Sequence, residues 1–192
     1  MGLLRNRGAS DEERARIAPG QHLVRDFPVL HAGSIPYRGV PPGWDLRIWG
    51  LVDTPVTWTW DELMAQDVTT VTCDIHCVTS WTKLGTRWEG VAVRPLLERL
   101  GLEDGASHVI AHAEEGYTAN MPLERVMRDD VLLAHRYDGA ALEPQHGGPL
   151  RLLVPSLYFW KSAKWLRGLE ILDHDEPGFW ERLGYNNSAD PW

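Results

Sequence analysis

Val68-Thr69-Thr70-Val71-Thr72-Cys73-Asp74-Ile75-His76-Cys77-Val78-Thr79-Ser80-Trp81-Thr82 carries both cysteines of the 192-residue chain, with a histidine directly before the second. The β-branched run Val68 to Thr72 reads as a strand. Ser80, Thr82 and Gly85 are turn formers, so the cysteine pair is expected where a strand opens into a loop, a usual place to display reactive groups. Three readings of the pair compete. The thiols are small buried hydrophobes; or Cys73, His76 and Cys77 ligate zinc, although the Cys-x2-His-Cys spacing lacks the second pair that a four-ligand site needs; or one thiolate binds a metal held mainly by something else.

Composition narrows the field. A hydrophobic fraction of 43% and a charged fraction of 24% are those of an ordinary globular protein. The net charge of -8 argues against a nucleic-acid or anionic-membrane partner. No stretch approaches the roughly 20 apolar residues of a membrane span. Residues 1–21 are charged and lack the apolar core of a secretion signal, so they read as a flexible arm preceding one domain over 22–192. With two cysteines and no signal, the expected location is the cytoplasm, with reduced thiols. Ten tryptophans are unusual. Trp81, Trp88, Trp160 and Trp165 sit beside polar residues or glycine and are candidates to wall a cofactor cleft.

Along the chain, Asp45–Trp49 and Val56–Thr59 read as strands. Thr59-Trp60-Asp61-Glu62 has the capping-box form and opens a short helix. Val93, Leu96, Leu97 and Leu100 share one helical face, with Pro95 in the first turn. Strands are expected again at Val109–Ala111, Gly116–Pro122, Val131–Tyr137 and Leu150–Pro155, with a short helix over Leu123–Met127.

The segment His146-Gly147-Gly148-Pro149-Leu150-Arg151, then Trp160-Lys161-Ser162-Ala163-Lys164-Trp165-Leu166-Arg167, combines close-approach glycines, cations and a hydroxyl. That is the composition of a phosphate cradle, and equally of a strand, a turn and solvated lysines. His-Gly-x-Pro-Leu-Arg, an apolar strand, Val154-Pro155 and a Lys-Trp-Leu step resemble the molybdenum-cofactor domain of the sulfite oxidase family. Cys77-Val78-Thr79-Ser80-Trp81 resembles the Cys-Val-x-x-Trp motif of its bacterial branch, which includes protein-methionine-sulfoxide reductases. Trp88-Glu89-Gly90-Val91 resembles the family's Trp-x-Gly-Val entry into the next helix. The resemblance runs from about Phe27 to the C-terminus.

The resemblance implies an α+β, sulfite oxidase-type molybdopterin-binding domain, a mixed sheet with short helices and long loops. It implies a molybdenum–molybdopterin cofactor and oxygen-atom transfer on a small sulfur compound, as in sulfite oxidation, with electrons exchanged with a separate protein. Reduction of a sulfoxide is the alternative within the family, and a zinc-stabilised binding domain the alternative outside it. Cys77 would be the one protein ligand of molybdenum, the other sulfurs coming from the pterin dithiolene. His146, Arg151, Ser162, Ala163 and Lys164 would surround the pterin and its phosphate, with Lys161 added. Leu30 and His31 occupy the family's N-terminal cofactor contact. A family threonine is expected near Ala113 or Glu114, where this chain has none. Tyr185 would end a pocket-closing segment and offer a catalytic hydroxyl.

Overall fold

The computed structural model describes residues 6, 8–30 and 32–192. Its spine is the strand that follows the cysteines. β4 (Val68–Cys77) and β5 (Trp81–Ala92) pair as an antiparallel hairpin along nearly their whole length. The loop expected after Cys77 shrinks to the turn Val78–Ser80, in which Ser80 takes the left-handed conformation at φ 72°. Thr82 and Gly85 instead belong to β5. Gly85 (φ 63°) sits where the register slips between the Cys73–Thr86 and Ile75–Lys83 pairs, so its freedom serves a bulge within the strand.

The other edge of β5 takes β1 (His22–Leu23) in parallel and β8 (Leu132–Tyr137) antiparallel. β8 in turn carries β9 (Ala140–Ala141) and β10 (Arg151–Leu153). At Gly90 of β5 a side chain is impossible without a shift, because a Cβ would lie 2.2 Å from the Leu133 carbonyl oxygen.

A second sheet runs in the order β3 (Val56–Thr59), β2 (Asp45–Gly50), β11 (Leu166–Leu172), β6 (His108–Ala113) and β7 (Thr118–Pro122). β11 pairs in parallel with β2 and antiparallel with β6, at the centre of the sheet. No strand is expected there from the sequence, because β11 is defined by partners, β2 and β6, that lie far away along the chain. Mixed sheets with short helices make the fold α+β, as expected.

The helices follow from local chemistry. The Thr59 hydroxyl accepts from the Glu62 amide while the Glu62 carboxylate accepts from the Thr59 amide, starting α2 (Trp60–Met64). α3 (Val93–Leu100) buries Val93, Leu96, Leu97 and Leu100 on the face its spacing predicts. Each such side chain contributes about 1.5–3 kcal/mol by burial. α4 covers Leu123–Val126.

The larger core, including Leu46, Ile48, Leu97, Leu133, Leu152 and Leu169, joins both sheets. A smaller one lies beneath the cysteine hairpin, built from Ile75, Trp81, Trp88, Leu153 and Phe159.

Within the segment read as an arm, α1 (Asp11–Ala15) starts on a Ser10–Glu13 capping box. Arg16 grips Asp74 of the hairpin with Nε at 2.8 Å and a terminal nitrogen at 2.6 Å. Among the described residues no helix is long and apolar enough to cross a membrane.

Candidate active site

A cleft of about 410 Å³ opens at the end of the cysteine hairpin. Its walls come from Phe27, Pro28, Leu30, Ala32 and Gly33, the β4–β5 turn, the β6–β7 turn, the 159–165 loop and residues 179–185. Strand alternation decides which thiol reaches it. Val71, Cys73, Ile75 and Cys77 all face the smaller core, and Cys77, at the open end of β4, is also a cleft residue. Its Sγ lies 3.1 Å from the Thr79 hydroxyl. Cys73 is further down the strand, 3.6 Å from the Thr86 hydroxyl. It is not a lining residue, and burial pushes its thiol up to about 12, so it stays protonated at neutral pH. His76 points to the opposite face, toward Thr82. Among the described residues no three His, Cys, Asp or Glu side chains converge on a possible metal position. The zinc reading therefore loses its ligand set.

The deep end of the cleft is cationic. Arg151 is buried, donating to the His146 carbonyl at 2.7 Å and the Ser162 carbonyl at 2.7 Å. The guanidinium lies 4.1 Å from the Phe159 ring centroid, and its buried Nε has no hydrogen-bond partner among the described residues. Lys164 donates to the carbonyls of Leu30 at 2.7 Å and Gln145 at 2.6 Å. Among the described residues neither cation pairs with a carboxylate. Desolvation lowers Arg151 to about 9, and desolvation with the nearby Arg151 charge lowers Lys164 to about 7. Two desolvated cations held by carbonyls and ring faces, with no carboxylate among the described residues, form an arrangement that an anion completes.

Ser162 and Ala163 complete this end of the lining. The Ser162 hydroxyl accepts from the Val154 amide at 2.9 Å and keeps its own proton to donate. Gly147, at φ 107°, is needed for the loop to approach: a Cβ there would stand 2.9 Å from the Lys164 Cβ.

Two expected contacts lie behind the wall. His146 stacks on Phe27, with ring centroids 3.9 Å apart, and is not a lining residue. Burial, then the Lys164 and Arg151 charges, lower its pKa to about 4, so it is neutral at pH 7. Its carbonyl holds Arg151. Lys161 is also absent from the lining: it is wholly buried, and its ammonium is taken by the Asn120 carbonyl (2.6 Å), the Asn120 Oδ1 (3.0 Å) and Glu181 (2.7 Å). Leu30 lines the cleft and offers its carbonyl to Lys164, while His31 lies outside the described residues.

The mouth is aromatic. Tyr185 lines it, 5.3 Å from Trp160 and 4.8 Å from Trp180 between ring centroids. Tyr117 donates to the Trp160 carbonyl at 2.6 Å, and the Trp160 indole donates to Glu181 at 2.7 Å. Of the four tryptophans singled out, Trp81, Trp160 and Trp165 line the cleft, and Trp88 is buried beneath it. Phe179 and Trp180 line the cleft within the expected pocket-closing segment that Tyr185 ends, whereas Phe27 and Tyr117 line it with no individual expectation behind them. Their signal was only aromatic character, which core residues share. Near the position of the family threonine, Glu114 enters the wall, paired with Arg167 at 2.7 Å.

A soft thiol, an acid-free cationic end and aromatic walls fit a molybdenum–pterin group carrying a phosphate: sulfur for the metal, flat apolar faces for the ring, cations for the anion. Comparison with known proteins agrees. The family model for the oxidoreductase molybdopterin binding domain matches residues 32–180. The uncharacterized oxidoreductase YuiH of Bacillus subtilis is 44% identical over 181 residues, covering 94% of this chain and 91% of that protein. A putative protein-methionine-sulfoxide reductase subunit, YedZ1 of Azospira oryzae, is 30% identical over 90% of the chain, which spans 66% of its length. Among solved structures, the sulfane dehydrogenase SoxCD from Paracoccus pantotrophus superposes with a TM-score of 0.62 at 29% identity, over 68% of this chain and 38% of that one. The chain belongs to the oxidoreductase molybdopterin-binding domain family, whose cofactor is molybdenum–molybdopterin.

Proposed function

We propose that this protein transfers an oxygen atom to or from a small sulfur compound, exchanging electrons with a separate protein. The observation that carries the reading is one cleft holding the Cys77 thiol and two cations without a carboxylate, Arg151 and Lys164. Cys77 would supply the protein's sulfur to the metal, and Arg151, Lys164 and the Ser162 hydroxyl would hold the phosphate. When bound, the molybdenum–pterin group supplies the two-electron, one-oxygen exchange. The chain's own task is to orient the substrate, exclude water and place hydrogen-bond donors.

Between sulfite oxidation and sulfoxide reduction, the lining favours the sulfoxide. With Arg151 and Lys164 committed to the cofactor, no other Lys or Arg among the described lining residues is left to neutralise a sulfite dianion. What remains near the mouth is Tyr117, Trp160, Phe179, Trp180 and Tyr185, walls suited to a neutral sulfur with apolar substituents. In that direction the sulfur–oxygen bond breaks, and the oxygen leaves as water with two protons and two electrons from the donor. The Tyr185 hydroxyl, on a lining residue, would donate to the departing oxygen.

Steady-state assays of the purified holoenzyme test this with dimethyl sulfoxide, a methionine sulfoxide and sulfite, each with an artificial electron carrier. The expected result is sulfoxide reduction well above sulfite oxidation. Turnover of sulfite alone would reverse the assignment, and turnover of neither would remove it.

A further inference from the structure

The Cys77 carbonyl receives the Gln21 side-chain amide at 2.8 Å, besides the Ser80 amide that closes its turn at 3.0 Å. The Gln21 oxygen accepts the Thr82 hydroxyl at 2.5 Å, and Thr82 in turn lies 3.0 Å from His76 Nδ1. Thr82 has one proton and gives it to Gln21, so His76 Nδ1 is the donor in that contact. All three side chains are buried, with Thr82 at 0%, Gln21 at 5% and His76 at 6% exposure. The relay closes a ring: it leaves the chain at the residue before Cys77 and returns to the Cys77 carbonyl.

Main-chain bonds on either side fix Gln21. The His22 amide donates to the Ser80 carbonyl at 3.0 Å, and the Val24 amide to the Thr82 carbonyl at 2.9 Å. The Asn6 side chain holds the Gln21 carbonyl and the Leu23 amide. The segment around Gln21 is therefore stitched to the turn that follows Cys77. It also lies before residue 32, where the family match begins.

We propose that Gln21 is a positioning residue for Cys77: by holding its carbonyl within this ring, it sets the angle at which Sγ enters the cleft. The proposal rests on the reading of Cys77 as the metal ligand. Groups that orient a ligand from behind cost about 10- to 100-fold in activity when removed, because the metal bond loses its aim. A tie that merely anchored the N-terminal segment would leave the metal's electronic surroundings untouched, and that difference is measurable.

The test compares holoenzymes of the parent, Gln21→Met, Thr82→Val and Thr82→Ser. Gln21→Met keeps length but loses donor and acceptor; Thr82→Val keeps shape but loses the hydroxyl, which Thr82→Ser restores. Molybdenum and pterin content are expected to match the parent, since the cationic end is unchanged. The electron paramagnetic resonance signature and midpoint potential of the molybdenum should shift in Gln21→Met and Thr82→Val, with kcat falling about 10- to 100-fold at unchanged KM. Thr82→Ser should stay with the parent.

An unshifted signature with parental kcat in Gln21→Met overturns the proposal. Should Gln21→Met fail to fold, the Thr82 pair decides, and Thr82→Val matching Thr82→Ser overturns it equally. Failure of the underlying reading shows separately: a Cys77→Ser enzyme with the parental molybdenum signature removes Cys77 as ligand, whatever Gln21 does.

Discussion

Replacing Lys164 with methionine keeps the aliphatic stem and deletes the ammonium, which separates the cost of desolvation from the work of the charge. In the cofactor-free protein Lys164 titrates near 7, against 10.5 for an ordinary lysine. Between those values the unfolded chain holds a proton on Lys164 that the folded chain has lost. Stability of the cofactor-free protein therefore rises with pH across that window, and falls as pH drops toward 7. Solvent reaches this side chain in part, so the discounted contribution to the slope is on the order of 2 kcal/mol. Lys164→Met removes it. Urea denaturation of both cofactor-free proteins at pH 7 and pH 10 should show the parent gaining stability relative to the variant at the higher pH. In cofactor binding the sign reverses: the phosphate loses a desolvated partner, at about 2–5 kcal/mol, so the variant should purify with little molybdenum. Parallel pH profiles, or full molybdenum occupancy in Lys164→Met, would refute the reasoning.

Three further outcomes follow from the same geometry. Cys77→Ser should keep pterin and lose turnover, because a hydroxyl is a hard, poorly ionised substitute for thiolate; Cys73→Ser, remote from the cleft lining, should keep most activity, and equal damage from both would contradict the assignment. Tyr185→Phe removes one hydroxyl from an aromatic wall, so cofactor content should hold while kcat drops roughly 10²- to 10³-fold; parental turnover would make Tyr185 a packing residue. Lys161→Met strands the buried Glu181 carboxylate, so chemical denaturation should show a loss of about 3–5 kcal/mol; an unchanged midpoint would mean the Lys161–Glu181 pair does not brace the aromatic wall.

How much of this was legible in the sequence depended on whether the signal was local. The capping box at Thr59 and the α3 face at Val93, Leu96, Leu97 and Leu100 are written in adjacent residues, and both appear where expected. The turn formers after Cys77 misled, because Thr82 and Gly85 serve a strand whose pairing partners lie elsewhere in the chain. β11 was passed over for a similar reason: its central place depends on β2 and β6. In the site, motif positions located Cys77, Arg151, Ser162, Ala163 and Lys164 on one cleft. They could not show that Lys161 turns away to Glu181, or that His146 lies under Phe27, since both depend on partners brought in by folding. The brace through Gln21 was hidden most completely: a glutamine 56 residues before the cysteine it holds carries no local mark.

The proposed chemistry depends on Cys77 giving the one protein sulfur to molybdenum in this cleft. X-ray absorption at the molybdenum edge, on the parent and on Cys77→Ser, measures that directly. The expected result is one molybdenum–sulfur bond fewer in the variant, with the pterin sulfurs unchanged. An identical sulfur shell in the two proteins would contradict it.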